Sequence, residues 1–66
     1  MKTITEILKD NDLTQADLAR LTGLGESYIS RIISGDRELK AAHTMVTIAS
    51  TLGVSVEDLI ASIEAQ

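Results

Sequence analysis

The chain of 66 residues contains no cysteine, no proline, no phenylalanine and no tryptophan, and Tyr28 is its single aromatic residue. Without cysteine it forms neither a disulfide nor a thiolate metal site. The lack of proline and the near absence of aromatic rings suit an all-α domain with an aliphatic core. A chain this short makes one domain, residues 1–66. It buries only about 60% of its unfolded surface, so we expect modest stability unless it dimerises.

Long apolar runs are also missing from the sequence. No run approaches the roughly 20 residues that a membrane span needs. No secretory signal peptide, with basic residues followed by an apolar segment, is visible. We therefore expect a soluble, intracellular protein that does not contact a membrane.

Residues suited to catalysis or metal binding are scarce. His43, the one histidine, has no ligand or nucleophile partner at a useful spacing, and no pair of acids suggests a catalytic cleft. The run 10–12, Asp-Asn-Asp, lacks the glycine and the distal glutamate that a calcium loop needs, so it predicts a turn. We expect no enzyme activity, no metal and no cofactor.

The stretch Gln15 to Gly35, QADLARLTGLGESYISRIISG, predicts two short helices joined by a tight turn. Gly23 lies where the first of these helices is expected to end. Helices often end in a left-handed backbone conformation, and glycine adopts it with the least steric cost. The small Ala19, one turn earlier, lets the second helix cross closely. Such an arrangement is a helix-turn-helix motif, whose second helix can enter the DNA major groove. The apolar faces of the two helices are formed by Leu18, Ala19, Ile29, Ile32 and Ile33.

Three further helices follow from capping signals and apolar spacing. Thr3 and Glu6 have the spacing of a capping box at the start of a first helix, and Thr14 offers a similar start to the second. Gly25 is the expected N-cap of the third helix. Gly53 ends the fourth. The expected helices cover residues 4–10, 15–22, 26–34, 43–52 and a last segment from 56.

The net charge of −4 is unevenly distributed along the chain. Between residues 15 and 43 four basic residues balance four acidic ones. This part is therefore neutral, which predicts weak non-specific affinity for nucleic acid, because phosphate contacts normally carry much of that affinity. The excess acid lies elsewhere, at Glu6, Asp10, Asp12, Glu57, Asp58 and Glu64, against Lys2 and Lys9.

Three stretches resemble the lambda-repressor/Cro-like (XRE-type) helix-turn-helix family: Leu13–Leu24 (LTQADLARLTGL), Ser27–Gly35 (SYISRIISG) and Ile48–Ile60 (IASTLGVSVEDLI). The similarity covers nearly the whole chain. It implies a compact five-helix all-α domain with its helix-turn-helix at 15–35, in agreement with the helices expected above. It also implies a DNA-binding transcription regulator of the bacterial or phage-type cytoplasm.

The resemblance also assigns functional positions. Gln15 corresponds to a residue that binds a phosphate together with the N-terminus of the second helix. The outer face of the third helix reads base edges, and that helix carries Tyr28, expected as a half-buried prop whose hydroxyl reaches a phosphate. The implied base-reading residues are Glu26, Ser27, Ser30 and Arg31, and further phosphate contacts fall to Ser34, Arg37 and Lys40.

The chain departs from the family pattern at three places. Glu26 stands where a basic or amide side chain is common, and it can accept from cytosine N4 but repels phosphates. Leu8 and Ile33 stand where many relatives pair an arginine with a glutamate, and we interpret them as an apolar replacement for a buried ion pair. The loop after Gly35 is one residue longer than usual and lacks the common proline.

Each assignment also has a purely structural interpretation. Arg31 and its neighbouring serines are ordinary on a solvated helix face, and Glu26 would complement the positive end of the helix dipole. Arg37 and Lys40 would equally suit a solvated loop.

The sequence favours a sequence-specific double-stranded DNA-binding regulator, a repressor by family analogy, that binds a pseudo-palindromic operator as a homodimer. The alternative is an antitoxin-like or adaptor module that keeps the fold, binds a protein partner and has weak or no DNA binding. The acidic balance, Glu26 and a solvent-facing Leu21 motivate that alternative. The candidate dimer or partner surface consists of Val54, Val56, Ile60 and Ile63, the last two expected to extend beyond the core.

Overall fold

The computed structural model describes residues 2–35 and 41–65, and within these ranges the chain forms helices and no strand. The expected all-α, five-helix architecture is confirmed. The third helix ends one residue earlier than expected and the fourth begins one residue earlier. The helices are α1 (Ile4–Asp10), α2 (Gln15–Thr22), α3 (Glu26–Ile33), α4 (Ala42–Leu52) and α5 (Val56–Glu64).

Short polar side chains define where three of the helices begin. Thr3 accepts from the Glu6 amide at the start of α1, and the Glu6 carboxylate accepts from the Thr3 amide in return. Thr14 forms the same reciprocal pair with Asp17 at the start of α2. Ser55 accepts from the first turn of α5. Each cap satisfies amides that have no partner inside the helix.

Left-handed backbone occurs in the turns that follow α1, α2 and α4. Gly23 ends α2 at φ 75° and Gly53 ends α4 at φ 71°, both in the left-handed region that glycine enters without steric cost. The segment after α1 is a turn, as expected, with Asp12 at φ 56°.

The helices pack around one aliphatic core. α3 packs against α2, α4 packs against α2 and α5, and α1 packs against α5. Leu8 and Ile33 are both buried in it, as the interpretation of an apolar replacement requires. The buried apolar side chains are Ile4, Leu8, Leu18, Ala19, Ile29, Ile32, Ile33, Met45, Ile48, Ala49, Leu52, Leu59 and Ile63.

One expectation about α5 is wrong. Ile63 does not extend beyond the core, because it is only 2% exposed. It lies one turn after Leu59, on the same side of the helix, and that side packs against α1 and α4. Ile63 therefore leaves the candidate dimer surface, whereas Val54, Val56 and Ile60 remain half-buried at its edge.

Two further properties apply to residues 2–35 and 41–65. No single helix there is long and apolar enough to cross a membrane; α4 and α5 meet the length and composition criteria only together, across a bend of 97°. No group of three or more histidine, cysteine, aspartate or glutamate side chains is placed there to hold a metal ion.

Candidate nucleic-acid interface

The turn between α2 and α3 is fixed by the side chain that ends α2. The Thr22 hydroxyl donates to the Leu18 carbonyl at 2.8 Å and accepts from the Leu24 amide at 3.3 Å. Leu24 is half-buried against the core. Together with the left-handed Gly23, these contacts set the direction in which α3 leaves α2.

α3 has two sharply different faces. Its buried face consists of three isoleucines, at 29, 32 and 33. Because these residues recur at helical spacing, the side chains between them are directed outward. The exposed residues of the helix are Glu26, Ser27, Ser30 and Arg31.

The start of α2 and the outer face of α3 form one open depression of about 510 Å³. It brings together the proposed phosphate anchor at the start of α2 and all of the proposed base-reading residues of α3. Side chains up to 16 positions apart in sequence thus share one polar surface on two different helices. The lining residues are Gln15, Glu26, Ser27, Ser30 and Arg31.

The two helix N-termini beside this depression differ electrostatically. At α2, hydrogen bonding to the Thr14 amide, together with the Arg20 guanidinium 2.6 Å away, lowers the pKa of Asp17 below its usual range. At α3, Gly25 offers no side chain to the first amides. The positive end of α3 is therefore compensated by Glu26 alone in its first turn.

Two further proposed phosphate contacts already have partners within the protein. The hydroxyl of the half-buried Tyr28 lies 3.3 Å from Oγ1 of Thr44 on α4, and the Ser34 hydroxyl donates to the Arg31 carbonyl at 2.8 Å. A hydroxyl so engaged still offers a lone pair or shares its proton. Arg37 and Lys40 lie outside the described residues.

Two large apolar side chains on other helices are exposed. Leu21 on α2 is 58% exposed, as expected, and Val46 on α4 is 51% exposed. Sequence reasoning missed Val46. The apolar spacing of α4 contains the signal that identifies it, because Val46 lies off the line through Met45, Ile48 and Leu52.

A family model described as helix-turn-helix matches residues 4–59. The chain belongs to this family, in its lambda-repressor-like (XRE) form. The match includes α1 to α4 whole and ends within α5, at Leu59. Searches of curated proteins and of solved structures gave no match.

Membership of the helix-turn-helix family makes this chain a DNA-binding regulatory domain. Such domains are not typically enzymes, which agrees with the scarcity of catalytic groups in the sequence. In a helix-turn-helix domain the second helix of the motif enters the major groove, and here that helix is α3.

Proposed function

We propose that the chain is a sequence-specific transcriptional repressor of the bacterial or phage-type cytoplasm, which binds double-stranded DNA with α3 in the major groove. The observation that carries the proposal is the depression of about 510 Å³, lined by polar side chains from α2 and α3. A surface shared by a phosphate anchor and base-reading groups matches what specific binding requires, since phosphate contacts position the protein and base contacts specify the sequence.

Four exposed side chains of α3 supply the base contacts. Arg31 pairs with guanine O6 and N7 through both arms of its guanidinium group. Glu26 accepts from cytosine N4, and Ser27 and Ser30 donate to or accept from neighbouring base edges. Each of the four is exposed in the free protein, so binding needs no rearrangement of the core.

Phosphate contacts are few and partly uncharged. Gln15 anchors one phosphate at the α2 N-terminus, and Ser34 and Tyr28 offer hydroxyl groups to others. Arg37 and Lys40 would add charge from outside the described residues. Because the chain has a net charge of −4, we expect weak binding to bulk DNA, with affinity concentrated at specific sites.

A homodimer would place two copies of α3 in successive major grooves, about 34 Å apart on a pseudo-palindrome. The candidate surface is the exposed edge of α5 and the turn before it, where Val54, Val56 and Ile60 are half-buried. Three half-buried aliphatic residues close in sequence favour this edge over the polar outer face of α1. Repression would follow from occlusion of a promoter.

The deciding experiment is selection of bound sequences from a random duplex pool at low salt, with Arg31→Ala in parallel. The wild type should recover a two-fold motif. Arg31→Ala should weaken binding by about 1–3 kcal/mol and lose preference at one base position of each half-site. Arg20→Ala is the matched control, because Arg20 is an exposed arginine that pairs with Asp17 and does not line the depression.

Two results of this selection would count against the proposal. Equal losses in the two arginine variants would mean that Arg31 contributes charge without reading a base. No enrichment with folded wild-type protein would mean that the domain does not bind DNA specifically.

The alternative is an antitoxin-like or adaptor module that keeps this fold and binds a protein partner. Leu21 and Val46, both more than half exposed, are the large apolar side chains that such a partner would cover. The discriminating test is retention on bulk DNA at low salt. Complete indifference to DNA, combined with specific protein binding that Leu21→Ser and Val46→Ser abolish, would favour the alternative.

A further inference from the structure

A second concave surface lies between α1 and α5. This α1–α5 groove has a volume of about 330 Å³ and shares no lining residue with the depression on α2 and α3. Its floor is apolar and consists of the half-buried residues Ile7, Val54 and Ala61. A volume at the lower end of the range for small-molecule pockets suits one or two side chains of a peptide segment.

The rim of the groove is acidic. It carries the carboxylates of Asp10 and Asp58 and the ammonium group of Lys2. The Asp58 amide donates to the Ser55 hydroxyl, whereas no described residue forms a hydrogen bond or ion pair with its carboxylate. Glu57, next to Asp58 in the first turn of α5, adds a further negative charge nearby. The rim therefore offers a carboxylate that is free to pair with an incoming cation.

The rim already accommodates one ammonium group. Lys2 forms an ion pair with Asp10, which links the residue before the N-cap of α1 to the last residue of that helix. Hydrogen bonding to Asp10 raises the pKa of Lys2 above its usual value, so Lys2 stays positively charged beside that carboxylate. Asp58, on the other helix, offers the same chemistry without an internal partner.

The apolar floor and the acidic rim restrict which kind of molecule can occupy the groove. An anionic membrane surface or an acidic peptide would face the carboxylates of Asp10 and Asp58. A second copy of this chain, docked symmetrically on the groove, would bring the same carboxylates of both copies together. A segment that combines an apolar side chain with a neighbouring positive charge satisfies both the floor and the rim.

We propose that the α1–α5 groove docks a basic amphipathic segment of a partner protein. One apolar side chain of that segment enters between Ile7, Val54 and Ala61, and an adjacent lysine or arginine pairs with Asp58. This site is formed by helices other than those that form the DNA-binding surface. The proposal therefore stands or falls independently of the residues that contact DNA, although Val54 also belongs to the candidate dimer surface.

The test uses two amphipathic peptides of about 15 residues, long enough to form a helix. Both contain leucine, alanine and a single type of charged residue, which is lysine in the first peptide and glutamate in the second. Each is titrated into the full chain without DNA, and amide signals are followed by NMR. Saturable shifts at Ile7, Val54 and Ala61 are expected with the lysine peptide and not with the glutamate peptide.

Three variants locate the contact. Asp58→Asn should lower the affinity for the lysine peptide by about two- to fivefold, which is the effect of one exposed ion pair. Glu57→Gln removes the same charge from the same helical turn but does not line the groove, so it should have a smaller effect. Ala61→Leu fills the floor without changing charge and should abolish binding while circular dichroism shows an intact fold.

Several outcomes would overturn the proposal. Equal binding of both peptides would show that the groove does not select charge, and no binding of either would show that it does not dock such a segment. A larger effect of Glu57→Gln than of Asp58→Asn would place the contact elsewhere. Val54 also belongs to the candidate dimer surface, so the last control uses the other two groove residues. Signals of Ile7 and Ala61 that shift with protein concentration alone would assign the groove to a second copy of the chain.

Discussion

The hydroxyl oxygen of Tyr28 lies 3.3 Å from Oγ1 of Thr44 and links α3 to α4 across 16 positions of sequence. Thr44 is only 6% exposed, so this contact is largely shielded from water. It holds the start of α3 against the start of α4. The orientation of the base-reading face therefore depends partly on one hydrogen bond between side chains.

Removal of this hydrogen bond should reduce stability modestly. Since 3.3 Å is long for two hydroxyl groups, we expect Tyr28→Phe to lower the free energy of unfolding by about 0.5–1 kcal/mol. Urea unfolding measures the change. In a double-mutant cycle with Thr44→Val, the second substitution should cost less in the Tyr28→Phe background than in the wild type. Strict additivity would show that the two hydroxyl groups do not interact.

The two isoleucines of α5 should respond very differently to truncation. Ile63 is 2% exposed, so Ile63→Ala should cost about 2–5 kcal/mol and unfold much of this small domain near room temperature. Ile60 is half-buried, so Ile60→Ala should cost less. Thermal unfolding compares them, and sedimentation at several concentrations tests whether Ile60→Ala weakens a dimer. A larger stability loss at Ile60 would contradict the packing of α5.

The pH dependence of stability should contain a contribution from Asp17. Its pKa is lower in the folded chain than its ordinary value of 3.8. The ionised carboxylate therefore stabilises the fold at pH values above 3.8, and this stabilisation is lost as the pH falls through the lower folded pKa. Asp17→Asn should unfold with a flatter dependence on pH in that acidic window, which urea midpoints at about pH 5 and about pH 3 will measure.

The two causes of the lowered pKa of Asp17 can be separated by mutation. Hydrogen bonding to Thr14 is the larger cause and pairing with Arg20 the smaller. Arg20→Ala should therefore retain most of the acidic pH dependence of the wild type. If Arg20→Ala behaves like Asp17→Asn, the ion pair and not the cap dominates.

Glu26 should influence which base is preferred at one position of the site. Glu26→Gln should shift the preference from cytosine toward adenine, because a glutamine side chain pairs with adenine N6 and N7. Overall DNA affinity should rise, since one carboxylate near the phosphates is removed. Glu57→Gln makes the same charge change on α5, outside the depression, and should leave base preference unchanged. Selected sequences from both variants provide the comparison.

Local signals made most helix boundaries predictable from the sequence. The Thr3–Glu6 and Thr14–Asp17 capping boxes each lie within four consecutive residues. Gly23 marks the end of α2, because glycine enters the left-handed region without steric cost. The apolar spacing of α3 likewise predicts which of its side chains are exposed. These features need no knowledge of how the helices pack.

Tertiary relationships were less predictable. The spacing in α5 identifies Ile63 as apolar but does not reveal that α1 and α4 cover it. The Tyr28–Thr44 contact depends on the angle between two helices, which periodicity does not encode. The α1–α5 groove arises from the distance between residues early and late in the chain, so no local motif marks it.

Tyr28 also gives the domain a built-in optical signal. It is the one aromatic residue of the chain, so tyrosine fluorescence from the whole protein originates from a single position on α3. Its ring is half-buried and its hydroxyl is engaged by Thr44, so the emission should respond when that environment changes. Movements of α3 relative to α4 can therefore be followed in real time without attaching a dye.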